Sequence, residues 1–189
     1  MQALPYAQRL ELERREPEAR RASLAGLGLV LVGAARMSQR EFPPQAFTFP
    51  PAGKPRLAGG PYFSISHSNS AVSCIVCADT DCGIDIEDRP DLAESATVAK
   101  LQRWTATEAA LKAAGLGLRA AGEVALADRL GHAIVRGQRY ELQSLAYMPD
   151  VIGHIAAGKK LTPNIASLEL DDARTSALLE RSFGLAAQI

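Results

Sequence analysis

Three acidic residues and a lysine are spaced so that they could bind a metal ion beside a phosphate. Asp85 and Glu87 lie two residues apart in an apolar run, so in a strand both side chains point to one face. Glu108 follows in a helical segment, with Lys112 one turn later. If the three acids converge, each pair at ~4 Å repels by about 4 kcal/mol at an effective dielectric near 20, so a cation is needed. Oxygen ligands suit Mg²⁺, which shares its coordination sphere with substrate phosphates, and Lys112 could meet a phosphate oxygen.

Each of these residues also has an ordinary structural explanation. Asp85 and Glu87 fit the exposed face of an edge strand. The segment from Thr105 to Glu108 fits a capping box with Thr105 as N-cap, and Lys112 would pair with Glu108 at i,i+4. The combination, rather than any one residue, indicates a cation site.

A second group of polar residues precedes the acids. Lys54 and Arg56 lie just before a predicted strand that ends at Ser66 and His67. A hydroxyl and an imidazole at a strand end, beside exposed amides, could hold a phosphate, although a polar hairpin turn explains the same pattern. A Ser-His-Asp hydrolase is disfavoured because no Gly-x-Ser-x-Gly elbow accompanies His67.

The hydrophobic pattern predicts an α+β protein. Helical spacing with Pro17 in the first turn indicates a helix over 17–37. Six prolines make 43–61 an extended connection. Residues 91–103 fit either a helix or a loop, and Trp104 to Ala114 is predicted as a helix that Gly115 closes. Alternating residues predict strands at 62–66, 71–78, 83–87, 132–136, 139–147, 151–157 and 165–170, with turns at 137–138 and 149–150 and a short C-terminal helix.

Composition excludes several classes of function. The formal net charge is zero over 189 residues, so no global field attracts nucleic acid. The uncharged stretch 22–35 is too short to span a bilayer, and we expect a buried helix in a cytoplasmic protein. Cys74, Cys77 and Cys82 lack a fourth ligand for zinc and indicate reduced, buried thiols.

Four motifs in this order resemble the 4′-phosphopantetheinyl transferase superfamily, in its monomeric, pseudo-dimeric branch, and holo-acyl-carrier-protein synthases. They are Gly-Lys-Pro at 53–55, Phe-Ser-Ile-Ser-His-Ser at 63–68, Gly-Ile-Asp-Ile-Glu at 83–87, and Trp-Thr-x-x-Glu-Ala-x-x-Lys-Ala-x-Gly-x-Gly-Leu at 104–118. The resemblance implies two similar small α/β lobes related by a pseudo-twofold, each with a mainly antiparallel sheet packed on a helix. The lobes would be 1–78, with the proline-rich connection, and 79–189, with the metal site, in a monomer.

The resemblance also implies an activity. It is the Mg²⁺-dependent transfer of 4′-phosphopantetheine from coenzyme A to a serine of an acyl or peptidyl carrier protein, with release of 3′,5′-ADP. Such carriers serve fatty-acid, polyketide and nonribosomal peptide synthases. By position, the metal ligands are Asp85, Glu87 and Glu108, the catalytic residues are Glu108 and Lys112, and the nucleotide phosphates meet Lys54, Ser66, His67 and Arg21 or Arg20.

Two other functions stay open. The family pattern has lysine where this chain has Thr107, and the segment 88–103 is shorter than the family's usual insert. A non-catalytic homologue that binds coenzyme A or a carrier protein would fit these differences. An unrelated Mg²⁺-dependent phosphoesterase would use the same three acids.

Overall fold

A computed structural model describes residues 4–51, 53–90, 95–145 and 151–162, together with 177–178 and 182–183. In these residues the protein is mixed α+β with antiparallel sheets, as predicted. The helices are α1 (Tyr6–Glu13), α2 (Pro17–Ser38) and α3 (Ser95–Ala113), with 3₁₀ turns at Pro44–Ala46 and Leu118–Glu123. The strands are β1 (Phe47–Thr48), β2 (Arg56–Leu57), β3 (Tyr62–His67), β4 (Val72–Cys77), β5 (Cys82–Asp88), β6 (Val124–Leu126), β7 (His132–Val135), β8 (Gln138–Ser144) and β9 (Val151–Ala157).

The predicted helix over 17–37 is confirmed as α2, which packs on the β3–β4 hairpin. Its glycines allow close approach: a Cβ at Gly26 would lie 2.6 Å from Ile65 Cγ2, and one at Gly33 would lie 2.9 Å from Val76 Cγ2. Eight residues of the apolar stretch 22–35 are buried in this helix, and the others are half-buried. None of the helices in the described residues has the length and hydropathy that a membrane span requires.

The proline-rich connection is less extended than the sequence predicts. It contains a 3₁₀ turn and the two-residue pair β1–β2. Phe47 and Leu57 are buried in this pair, and the Phe47 ring meets Phe63 edge-on with centroids 5.7 Å apart. These apolar side chains pack in the same core cluster as the buried residues of α2. Such packing is a tertiary effect and cannot be predicted from the number of prolines in the segment.

The second sheet is five-stranded, in the order β5-β9-β8-β7-β6, and it curls around α3. The predicted meander is confirmed in β7, β8 and β9, while β6 was not predicted. The first meander turn lies one residue earlier than predicted, because Arg136 and Gly137 take the positive φ of 50° and 80° that a tight hairpin requires. The predicted turn at 149–150 and strand at 165–170 lie outside the described residues, as does most of the C-terminal helix.

Strand β5 is not an exposed edge, so that explanation of its acids is wrong. One side of β5 pairs with β9, and the other side faces β3. There the hydroxyls of Ser64 and Ser66 accept hydrogen bonds from the amides of Ile84 and Ile86, each at 3.2 Å. Two serine side chains thus replace a strand partner, and residues 82–86 are buried.

The cysteines of the described structure are free thiols. Cys77 and Cys82 are buried, as expected, whereas Cys74 is only half-buried. None of them joins a group of side chains that could hold a metal in the described residues.

Asp88 ties the end of β5 to the turn after β3, and it should make stability depend on pH. Its carboxylate accepts hydrogen bonds from the amides of Asn69 and Ser70 at 3.0 and 3.2 Å. Hydrogen bonds from the hydroxyls of Ser68 and Ser70 lower the pKa of Asp88 to about 2. The lowered pKa means that ionised Asp88 stabilises the fold above pH ~4, and that this contribution is lost as the pH falls through 2.

We therefore expect the free energy of unfolding of Asp88→Asn to lie below that of wild type at pH 5 and to converge with it near pH 2. Urea denaturation at a series of pH values measures the difference, with the exposed Asp128→Asn as control. Parallel curves for wild type and Asp88→Asn would contradict the assignment.

Candidate metal and phosphate site

Asp85 lies at the centre of the site and is 3% exposed. Its Oδ1 accepts hydrogen bonds from Ser66 Oγ at 2.9 Å and from Lys112 Nζ at 2.5 Å. Its Oδ2 is buried and has no hydrogen-bond partner among the described residues. A buried carboxylate oxygen without a partner is costly, so a ligand of positive charge is expected at this atom.

Glu87 and Glu108 complete a cluster with Asp85, as the sequence predicted. One carboxylate oxygen from each of the three residues lies within 4.8 Å of the others. Burial, and then the negative charge of Asp85, raises the pKa of both glutamates. A hydrogen bond from the Trp104 indole acts in the opposite direction on the pKa of Glu87. The cluster is therefore electrostatically strained without a cation.

Helix α3 carries Glu108 to this cluster, but not in the way the capping box implied. The helix begins at Ser95, so Thr105 lies in its interior and is not an N-cap. The Thr105 hydroxyl meets the carbonyl of Gln102 at 3.2 Å and Nδ1 of His154 at 2.8 Å. In a helix interior the amides are already bonded, so Glu108 has no cap amide to meet and is available to the cluster.

Lys112 balances part of the negative charge. Its ammonium lies 3.9 Å from Glu108 Oε2, which confirms the i,i+4 pair, and it also meets Ser66 Oγ at 3.2 Å. Three carboxylates and one ammonium leave a formal charge of −2, which one divalent cation neutralises. The donor set is all oxygen and part-buried, which suits Mg²⁺. The residues present thus fit the metal that the sequence predicted.

Of the four residues predicted to bind phosphate, Ser66 contacts the acidic cluster. Ser66 is buried, and its hydroxyl bonds Asp85 and the amide of Ile86. The positions of the other three are as follows. Lys54 donates to the carbonyl of Cys82 at 2.7 Å and lines a cleft of about 200 Å³ with Arg56, Tyr62 and Asp81. His67 is exposed at the end of β3, and Arg21 is exposed on α2.

Two further residues of the site were missed by sequence reasoning. His154 is buried on β9 directly opposite Asp85, and Trp104 is 40% exposed beside Glu87. Burial lowers the pKa of His154 to about 4, so its imidazole is neutral at physiological pH. A single imidazole inside the apolar run at 151–157 was the signal that could have identified it.

Replacing Lys112 by methionine should lower the stability of the metal-free protein and at the same time raise its affinity for Mg²⁺. Loss of one partner of a buried ion pair costs about 3–5 kcal/mol, and the 30% exposure of Lys112 lowers the expected loss to about 2 kcal/mol. The affinity for Mg²⁺ should rise, because a competing positive charge beside Asp85 is gone. Denaturation without metal and calorimetric titration with Mg²⁺ measure the two effects.

The matched control is Lys159→Met, since Lys159 forms an ion pair with Asp79 at the surface. It should change neither quantity appreciably. Weaker binding of Mg²⁺ by Lys112→Met than by wild type would contradict the arrangement described.

The cluster draws on β3, β5 and α3, so it depends on packing between parts of the chain that are far apart in sequence. Three carboxylates and a lysine in this arrangement could hold a divalent cation. Among known proteins, no protein-family model matches the chain, and no curated protein matches it.

Proposed function

We propose that the protein is a Mg²⁺-dependent 4′-phosphopantetheinyl transferase that moves phosphopantetheine from coenzyme A to a serine of a carrier protein. The observation that carries the proposal is the unpartnered Oδ2 of Asp85, buried beside Glu87 and Glu108, with Lys112 at the rim. A divalent cation would neutralise such a site, and the lysine could meet an anion beside it. The order of the four sequence motifs supports phosphopantetheine as the transferred group.

The roles of the residues follow from their positions. Asp85, Glu87 and Glu108 would hold the metal, which when bound neutralises charge on the pyrophosphate of coenzyme A. Glu108 would also take the proton from the carrier serine, because its carboxylate lies in the cluster beside the position proposed for the metal and the pyrophosphate. Lys112, part-exposed at the cluster, would meet a pyrophosphate oxygen and stabilise the leaving group.

The reaction balances without an additional reactant. The serine oxygen forms a bond to the phosphorus that bears pantetheine, and the bond from that phosphorus to the bridging oxygen breaks. The serine proton passes to Glu108, and 3′,5′-ADP leaves with the bridging oxygen. Catalysis then depends on positioning and on neutralising spread charge.

The nucleotide would occupy the cleft lined by Lys54 and Arg56. In this proposal the segments 1–78 and 79–189 form two lobes related by a pseudo-twofold, with coenzyme A between them. His67 and Arg21 would add positive charge or hydrogen bonds for its phosphates. Both are exposed, so a ligand can reach them.

The rival function is a homologue that binds coenzyme A or a carrier without transfer. Thr107 favours it, because its hydroxyl donates to the carbonyl of Arg103 at 2.8 Å and supplies no positive charge next to Glu108. Under this alternative the cation and Lys112 hold the pyrophosphate, and no serine is aligned for attack.

Incubation with a fluorescent coenzyme A, Mg²⁺ and a panel of apo carrier proteins tests the proposal. We expect one carrier serine to be labelled with release of one equivalent of 3′,5′-ADP, and labelling to stop when Mg²⁺ is chelated. Binding of coenzyme A without labelling of any carrier would support the rival. Release of nucleotide in the absence of a carrier would identify a phosphoesterase.

A further inference from the structure

The contact between α3 and the sheet beneath it is made largely of small residues. Ala106, Ala109 and Ala113 are buried on the helix, and Gly83 on β5 lies against the backbone of Ala109 and Ala113. Small residues allow the helix and the strand to approach closely, but they supply no polar contact at this surface. A polar contact can give this packing a direction and help to fix the position of Glu108 relative to Asp85.

One buried hydrogen bond supplies that direction. Thr105 is 0% exposed and His154 is 2% exposed, and Thr105 Oγ1 lies 2.8 Å from His154 Nδ1. Thr105 precedes Glu108 by three residues and so lies one turn away on the helix. His154 is the register partner of Asp85 in the β5–β9 pair. The hydrogen bond thus connects the turn of α3 next to Glu108 with the residue of β9 that pairs with Asp85.

The imidazole of His154 is not itself part of the ligand group. Among the described residues, the only group with metal-binding geometry is formed by Asp85, Glu87 and Glu108. The Thr105 hydroxyl also lies 3.2 Å from the carbonyl of Gln102, which accepts its proton if His154 Nδ1 carries the hydrogen. These two hydrogen bonds then fix the orientation of the Thr105 hydroxyl and of the His154 ring.

We propose that Thr105 and His154 are positioning residues that set the separation of Glu108 and Asp85 and thereby the affinity of the site for a divalent cation. The inference rests on the metal site of the proposed function. It does not depend on the identity of the substrate. Groups that orient metal ligands typically change metal affinity by about 10–100-fold when removed.

Thr105→Val and Thr105→Ser test the inference as a matched pair. Valine keeps the shape and removes the hydroxyl, whereas serine keeps the hydroxyl and removes a methyl group. Calorimetric titration with Mn²⁺ measures affinity in the folded protein, and denaturation without metal measures stability separately. We expect at least about tenfold weaker binding for Thr105→Val and an affinity within about threefold of wild type for Thr105→Ser.

A second pair applies if Thr105→Val does not fold. His154→Asn can place an amide nitrogen near the position of Nδ1, and His154→Leu cannot form the bond. We expect His154→Asn to retain more of the Mn²⁺ affinity than His154→Leu.

Four results would overturn the inference. They are wild-type affinity in Thr105→Val, equal losses in Thr105→Val and Thr105→Ser, equal affinities for the two His154 variants, and a loss of stability with unchanged affinity. In each of these cases the wild type still binds Mn²⁺, so the metal site on which the proposed function depends is not contradicted. Absence of Mn²⁺ binding in the wild type would overturn both the metal site and this inference.

Discussion

Glu108→Gln and Asp85→Asn should each lower the rate of the proposed phosphopantetheine transfer by about 10³-fold or more while leaving the fold intact. Each change would remove one of three anionic ligands and so weaken binding of the cation that, in the proposed function, neutralises the pyrophosphate. A bound metal contributes several kcal/mol to such a reaction, and each 1.36 kcal/mol is tenfold in rate. The amide oxygen that Asp85→Asn introduces would still accept the hydrogen bonds of Ser66 and Lys112, so gross unfolding is not expected.

The control for these variants is Glu123→Gln. Glu123 is exposed and forms an ion pair with Arg136. It is a glutamate like Glu108, but it is not part of the acidic cluster. Carrier labelling measures the rates, and circular dichroism confirms that each variant is folded. Wild-type labelling by folded Asp85→Asn or Glu108→Gln would remove these residues from the catalytic assignment.

Gly83→Ala should cause the largest loss of stability of any single methyl group added near the site. A Cβ at this position would lie 1.9 Å from the carbonyl oxygen of Ala109 and 2.6 Å from the amide nitrogen of Ala113. Backbone atoms cannot turn aside, so α3 must move away from β5 and carry Glu108 with it. We expect the free energy of unfolding to fall by at least about 3 kcal/mol.

Gly122→Ala is the matched control, because a Cβ there meets no atom within 4 Å. Its effect should lie within about 0.5 kcal/mol. Urea denaturation measures both variants. Equal stability of Gly83→Ala and Gly122→Ala would contradict the close packing of α3 on β5.

Much of the fold could be predicted because the signals are local. Alternation predicted β3, β4, β5 and the meander, and helical spacing with Pro17 predicted α2. The helix predicted at 104–114 is confirmed, and of the two readings left open for 91–103, helix is the one found from Ser95 onward. The N-cap predicted at Thr105 was wrong, because the local capping signal was interpreted without the distant partner of its side chain. The hydroxyl of Thr105 bonds His154, 49 residues away, and no local pattern reports that contact.

The same distinction applies to the site. The two-residue spacing of Asp85 and Glu87 correctly placed them on one face of a strand, and Glu108 joins them as predicted. Their burial could not be predicted, because it depends on Ser64 and Ser66 of β3 covering the other side of β5. Sequence spacing indicates which side chains share a face, whereas tertiary packing decides what that face meets.

Anomalous diffraction from a crystal grown with Mn²⁺ tests the central claim, that the three acids form a divalent-cation site. Oxygen donors that suit Mg²⁺ also suit Mn²⁺. We predict one anomalous peak at about 2 Å from Asp85 Oδ2 and from a carboxylate oxygen of both Glu87 and Glu108. Well-ordered carboxylates with no peak between them, at a Mn²⁺ concentration that saturates other carboxylate sites, would contradict the claim.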